Sequence, residues 1–492
     1  MISRGGRARL SAAASTGLAV LAVLTVVSRS RSAAAAEAAP PAPGSAAHAT
    51  AAPTFDWHLP TGFPTPVVPA DDPITEQKVA LGRHLFYDPR LSGNGTQACA
   101  SCHAQERAFT DGRARALGST GAVHPRSSMS LANAAYAVSL TWADPARTRL
   151  EEQAVIPLRN TKPVEMGALG HEGEVLERLR ADARYRSLFS AAFPGSTDPF
   201  SIENVTRAVA SFERTLISGR SPYDALVWHG ERNALSADAW RGMKLFFDER
   251  LACSTCHAGF TFSGPATWAG ALRPRASFQN NGLASGIEGA DPGLFAVSHR
   301  ASDRGRFRAP TLRNIAVTAP YMHDGRLPTL ESVVAHYAGG GTPGPNRSPL
   351  VRGFEITPQQ SCDLVAFLES LTDAEFLADA RFSNPWNDTK RSLDRSGELG
   401  GREPDVLEPL LHPLSMRAEG EDADARHGAS LQLCARDVNA VARVRARQEG
   451  AGEPVDLFRR GSRTFELEGH ERELRLGHDA HARNLPQLLG GP

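Results

Sequence analysis

Cys99, Cys102 and His103 form a Cys-x-x-Cys-His unit, and Cys253, Cys256 and His257 form a second one in the same 492-residue chain. Two thiols separated by two residues can each add across one vinyl group of a haem to make a thioether. The histidine that follows then places an imidazole under the iron as proximal ligand. A redox dithiol or half of a zinc site also uses Cys-x-x-Cys, but neither needs a histidine immediately after it, twice. The spacing therefore predicts two covalently bound c-type haems. Both units follow the same run: "GRHLFYDPRL" from Gly82 and "GMKLFFDERL" from Gly242 agree at Gly, Leu, Phe, Asp, Arg and Leu. A six-residue insert, "SGNGTQ", separates the first run from its cysteines. A duplicated unit explains both features.

Helices must carry these units. In "SADAWRGMKLFF", Ser236 stands as an N-cap, and Ala239, Met243 and Phe246 or Phe247 recur at helical spacing. In "TPQQSCDLVAFLESL", Thr357 caps, Pro358 takes the first helical position and Gln360 closes a capping box. Leu364, Phe367, Leu368 and Leu371 then share one face. No convincing set of alternating strands is present. The expected fold is all-α: two cytochrome c-like haem domains in tandem, over residues 71–230 and 231–375, and a poorly structured C-terminal extension over 376–492.

Lysine plus arginine and aspartate plus glutamate each number 54, so the formal charge is zero and no nucleic acid or other polyanion partner is implied. Residues 1–38 read as an export signal, with Arg4, Arg7 and Arg9, then the apolar run "GLAVLAVLTVV", then the small-residue stretch "AAAAEAA". That run is about half of what a membrane helix needs. The expectation is a periplasmic protein with no membrane span after signal cleavage, and residues 39–70, rich in Ala and Pro, are expected to be a disordered linker. Of the remaining cysteines, Cys362 reads as a buried thiol rather than half of a bridge, and Cys434 has no assigned role.

With "RLSGNGTQACASCH", "LEEQAVIPLRNTKPVEMG" and "RAPTLRNIAVTAPYMHDG" in that order, residues 71–375 resemble the bacterial di-haem cytochrome c peroxidase and MauG family. The resemblance implies reduction of hydrogen peroxide, with the N-terminal haem as peroxide site, the C-terminal haem as electron store and a tryptophan between them. Trp142, 39 residues after His103, takes the tryptophan's place, although "WADPAR" replaces the usual "WDGR". Glu165 in "PVEMG" matches the acid that moves a proton between the peroxide oxygens. Classical members close the resting peroxide haem with a loop histidine; Ser119 stands at that position, with His124 the nearest histidine, so an open iron is expected. At the second haem the resemblance to MauG gives Tyr337 as sixth ligand, with Met322 as the competing ligand. Thr318 and Pro320 match backbone donors of a calcium site whose asparagine is Ser127 here.

Three functions fit these residues. The first is peroxide reduction with electrons from a small cytochrome c or cupredoxin; the second is peroxide-dependent oxidation of a protein partner; the third is a non-enzymatic electron carrier. Beyond residue 375 arginines alternate with acids, and His470, His478 and His481 read as part of a solvated tail rather than a metal site.

Overall fold

A computed structural model describes residues 55–283 and 291–387. The export signal, residues 39–54 of the expected linker, Cys434 and the three tail histidines lie outside the described residues. The helices are α1 (Glu76–Phe86), α2 (Leu150–Arg159), α3 (Glu172–Arg180), α4 (Ala183–Ala192), α5 (Ile202–Arg214) and α6 (Pro222–His229). They continue as α7 (Ala237–Phe247), α8 (Cys253–Cys256), α9 (Phe295–Ser298), α10 (Leu330–Ala338), α11 (Pro358–Glu369) and α12 (Ala374–Ala378). Strands β1 (Phe278–Gln279) and β2 (Phe307–Arg308) pair antiparallel, Phe278 opposite Arg308.

The duplicated run is a duplicated helix crossing. α1 packs on α5, and α7 packs on α11, each at the glycine common to both copies. A Cβ added to Gly82 would lie 1.9 Å from the carbonyl oxygen of Ala208, and one added to Gly242 would lie 1.8 Å from that of Asp363. Only glycine lets the two backbones approach so closely. One turn later Phe86 meets Phe212 at 5.2 Å between ring centroids, and Phe246 meets Phe367 at 5.2 Å. The shared aspartate ends each helix: Asp88 accepts the Arg90 N–H at 2.9 Å, and Asp248 accepts the Arg250 N–H at 2.8 Å. Ser236 and Thr357 cap α7 and α11 as expected, the latter in a capping box with Gln360.

A second repeated feature ties the two copies together. Asn133 and Asn314 both adopt the left-handed conformation, at φ 62° and 60°, which asparagine tolerates better than most residues. Their N–H groups donate to Leu216 O and Leu371 O, at the ends of the α5 and α11 segments. Asn314 Nδ2 also reaches Ser218 Oγ at 2.9 Å, and Asp373 Oδ2 collects Ser218 Oγ, Gly219 N and Arg220 N. Nearby, the fully buried Arg313 forms a bidentate pair with Asp224 at 2.7 and 2.9 Å.

Three expectations need correction. Residues 55–70 are packed rather than a disordered linker: Phe63 is buried among Trp57, Leu59 and Tyr136, and Tyr136 donates its hydroxyl to Pro64 O at 2.7 Å. The aromatic residues of "FDWHLPTGF" supply the apolar area that the Ala/Pro composition obscured. Similarly, residues 376–387 return to the first unit instead of starting a loose extension. Phe376 and Phe382 enter its core, Tyr87 donates to Phe382 O at 2.7 Å, and Arg83 Nε donates to Ser383 O at 2.7 Å. Finally, Cys362 is disulfide-bonded, not a buried thiol.

Candidate functional site

A cavity of about 320 Å³ is lined by Cys99, Cys102 and His103 and reaches Trp142, Glu165 and, from the second unit, Arg308. His103 Nδ1 lies 2.7 Å from the carbonyl of Phe109. A carbonyl only accepts, so Nδ1 carries the proton and Nε2 keeps its lone pair for a metal. The second unit repeats the device, with His257 Nδ1 3.0 Å from Phe262 O. Phe109 and Phe262 both sit in the left-handed region, at φ 61° and 51°, which turns each carbonyl back towards its imidazole. Burial lowers the pKa of both histidines, keeping them neutral, as metal ligation requires.

The four motif cysteines are unbridged. Burial raises the thiol pKa of Cys99 and Cys256, and pushes Cys102 and Cys253 up to about 11. A redox dithiol needs the opposite, an exposed thiol of low pKa. Among the described residues no cluster of three or more His, Cys, Asp or Glu side chains could hold a metal ion on its own. The cavity also contains polar atoms that the protein leaves unpaired. Glu213 Oε2 and Arg308 Nε are buried without a partner on its wall. Burial moves them in opposite directions, Glu213 up to about 8 and Arg308 down to about 10. A large apolar ring with an anionic edge, held by two sulfurs and one imidazole, fits this lining.

Glu165 enters the same cavity with its carboxylate fixed by Asn160 Nδ2, 3.0 Å from Oε1. Its main-chain carbonyl accepts the Ser119 N–H at 2.6 Å, and Gly118 lies so close to Val164 O that a Cβ would stand 1.8 Å from it. The loop over residues 116–126 is therefore pinned against the Glu165 segment and brings His124, not Ser119, to the cavity wall. Trp142 is fixed by Nε1 donating to Ser127 O at 2.9 Å, and its carbonyl accepts the Arg308 N–H at 2.9 Å. Its ring stands edge-on to His323 at 6.5 Å, and His323 stacks on Phe307 at 3.8 Å. Trp142 and His323 each lie nine residues after the repeated asparagine, Asn133 or Asn314, so the duplication brings equivalent positions face to face.

In the second unit Tyr337, on α10, lies near Cys253 and Cys256, and its phenol hydrogen-bonds Asn281. Burial raises its pKa against that hydrogen bond. Met322, the rival ligand, has φ 78°, and its sulfur accepts from Asn281 Nδ2 at 3.4 Å. Both candidates thus touch one amide. Ser127 N–H donates to His323 O at 2.7 Å, next to the segment carrying Thr318 and Pro320, and Thr318 Oγ1 donates to Ile315 O at 3.1 Å.

Residues 76–233 match the sequence profile of the di-haem cytochrome c peroxidases. The methylamine utilization protein MauG of Methylorubrum extorquens is 39% identical over 303 residues, covering 62% of this chain and 80% of the relative. The chain belongs to the di-haem cytochrome c peroxidase family. Cytochrome c551 peroxidase of Pseudomonas aeruginosa is 34% identical over 302 residues, 61% of this chain and 80% of that one. A crystal structure of a MauG-like protein associated with microbial copper homeostasis is 42% identical, with a TM-score of 0.65, and matches 68% of this chain and all of its own.

As a di-haem peroxidase the protein is an oxidoreductase acting on peroxide, and it carries two covalently bound c-type haems. Sequence reasoning missed Asn160, Glu213, Arg308 and Asn281, all of which touch the sites just described. Asn160 had a signal, five residues before Glu165 in a quoted motif. The other three become visible only where the chain folds back on itself.

Proposed function

We propose that the protein reduces hydrogen peroxide to water in the periplasm, with the peroxide held at the His103 cavity. Cys99 and Cys102 would hold the first haem with His103 as proximal ligand, and Cys253, Cys256 and His257 would hold the second. Bound there, the haems supply the redox chemistry of peroxide cleavage. The observation that carries this reading is the Glu165 carboxylate, fixed by Asn160 in the cavity of His103. A fixed carboxylate can take the proton from one peroxide oxygen and return it to the other, which leaves as water. Trp142, anchored at both its indole and its carbonyl, provides a rigid ring for electrons passing between the units. Tyr337 is the sixth ligand we favour at the second haem, with Met322, which touches the same Asn281 amide, as the competing ligand. A calcium ion at Thr318 and Pro320 would rest on main-chain oxygens and Ser127.

Arg4, Arg7, Arg9 and the apolar run after them support export, and no helix among the described residues is long and apolar enough to cross a membrane. The electron donor would be a small cytochrome c or a cupredoxin. A second reading, oxidation of a protein partner's side chains, draws on Tyr337, because an anionic oxygen ligand favours oxidised iron. Steady-state peroxide consumption with a reduced cytochrome c separates the two. Fast multiple turnovers are expected for the peroxidase; a single turnover followed by slow donor oxidation would transfer the case to the protein-oxidising reading.

A further inference from the structure

Resting on the peroxidase reading, we propose that His124 is the hydrogen-bond donor of the peroxide site, working as one half of a donor–acceptor couple with Glu165. His124 Nδ1 accepts the main-chain N–H of Arg126 at 3.1 Å. A nitrogen that accepts carries no proton, so the ring proton sits on Nε2. The 3.3 Å contact between Nδ1 and the Arg126 carbonyl would need the other tautomer and is the longer of the two. A second proton would make both nitrogens donors, so Nε2 donates in either charge state.

Nε2 faces Glu165 Oε1 at 3.7 Å, beyond hydrogen-bond reach, while Asn160 already donates to that oxygen at 3.0 Å. The His124 donor is therefore not spent on Glu165. Donor and acceptor stand on the wall of one cavity, far enough apart that each can reach one oxygen of a peroxide at about 2.8 Å. The ring is held there by its loop: His124 N–H donates to Ala116 O at 2.8 Å, Gly118 N–H to Ala122 O at 2.8 Å, and Arg126 forms a bidentate pair with Asp291 at 2.7 and 2.9 Å.

During cleavage Glu165 accepts the proton of the near oxygen. The O–O bond breaks and its electron pair leaves with the far oxygen, where His124 Nε2–H stabilises the growing negative charge. That oxygen takes the proton from Glu165 and departs as water. The near oxygen would leave as a second water once the small redox donor has delivered two electrons, one at a time, and two protons have entered from solvent. With its proton on Nε2, His124 presents a donor rather than a lone pair to the cavity.

Fluoride binding to the ferric protein tests the donor without peroxide turnover, since a bound anion in the cavity calls on the same hydrogen bond. A hydrogen bond to a charged group is worth about tenfold to a hundredfold in affinity. His124→Leu, compared at full loading with both haems, should weaken fluoride binding by that factor, and His124→Gln, which keeps an N–H donor, should retain it to within about threefold. Equal fluoride affinity in the unmodified protein and His124→Leu would overturn the proposal. So would a resting ferric spectrum in which His124→Leu turns a low-spin iron high-spin, because His124 would then be a ligand. A protein that binds fluoride through His124 yet fails to turn over peroxide would retain the donor and lose the peroxidase reading.

Discussion

Glu165 owes its usefulness to its neighbours. A surface carboxylate exchanges protons with water in any direction, whereas Asn160 holds this one at 3.0 Å and the Ser119 N–H fixes its main chain. General acid–base groups contribute roughly a hundredfold to ten-thousandfold. Glu165→Gln should therefore leave both haems attached and slow single-turnover peroxide cleavage, followed by stopped-flow absorbance, by about that factor; an unchanged rate would remove Glu165 from the reaction. The Cys-x-x-Cys-His units and "PVEMG" were legible because local spacing encodes them. Glu213 and Arg308 were not, since a Glu or Arg becomes informative only when the fold buries one of its polar atoms without a partner on a cavity wall.

At the scale of elements, the duplicated glycines carry an expectation that the other conserved features of the run do not. A methyl group at Gly242 would meet main chain at 1.8 Å, and main chain cannot rotate aside. Gly242→Ala should cost about 1–3 kcal/mol, the usual range for overpacking, read as a lower denaturation midpoint. Gly173→Ala on α3, where an added Cβ meets nothing within 4 Å, is the control and should be neutral or mildly stabilising. Equal losses in the two variants would contradict the helix-crossing account. The caps and faces of α7 and α11 could be read from sequence because helices are local objects. The loops that aim His103, Trp142 and His124 could not, as their geometry is set by distant partners such as Leu216 for Asn133 and Asp291 for Arg126. Composition also misplaced both ends of the packed chain: Phe63 and Phe382 anchor segments whose Ala, Pro and charged neighbours suggested none.

Across the described residues, the duplication repeats one histidine–carbonyl device in two units whose surroundings differ. Each motif histidine leans on a left-handed phenylalanine carbonyl, and each unit contains a helix crossing at a shared glycine. Glu165 and His124 share the cavity of His103, whereas in the second unit Tyr337 and Met322 share the amide of Asn281. Asn314, Ser218 and Asp373 lock the copies together, and Trp142 faces His323 where equivalent positions meet. This asymmetry separates an enzyme from an electron carrier. Electron paramagnetic resonance of the resting ferric protein measures it most directly. Two haem irons per chain are expected, one high-spin and open to ligands, the other low-spin and six-coordinate. Two low-spin signals, or only one iron, would contradict this.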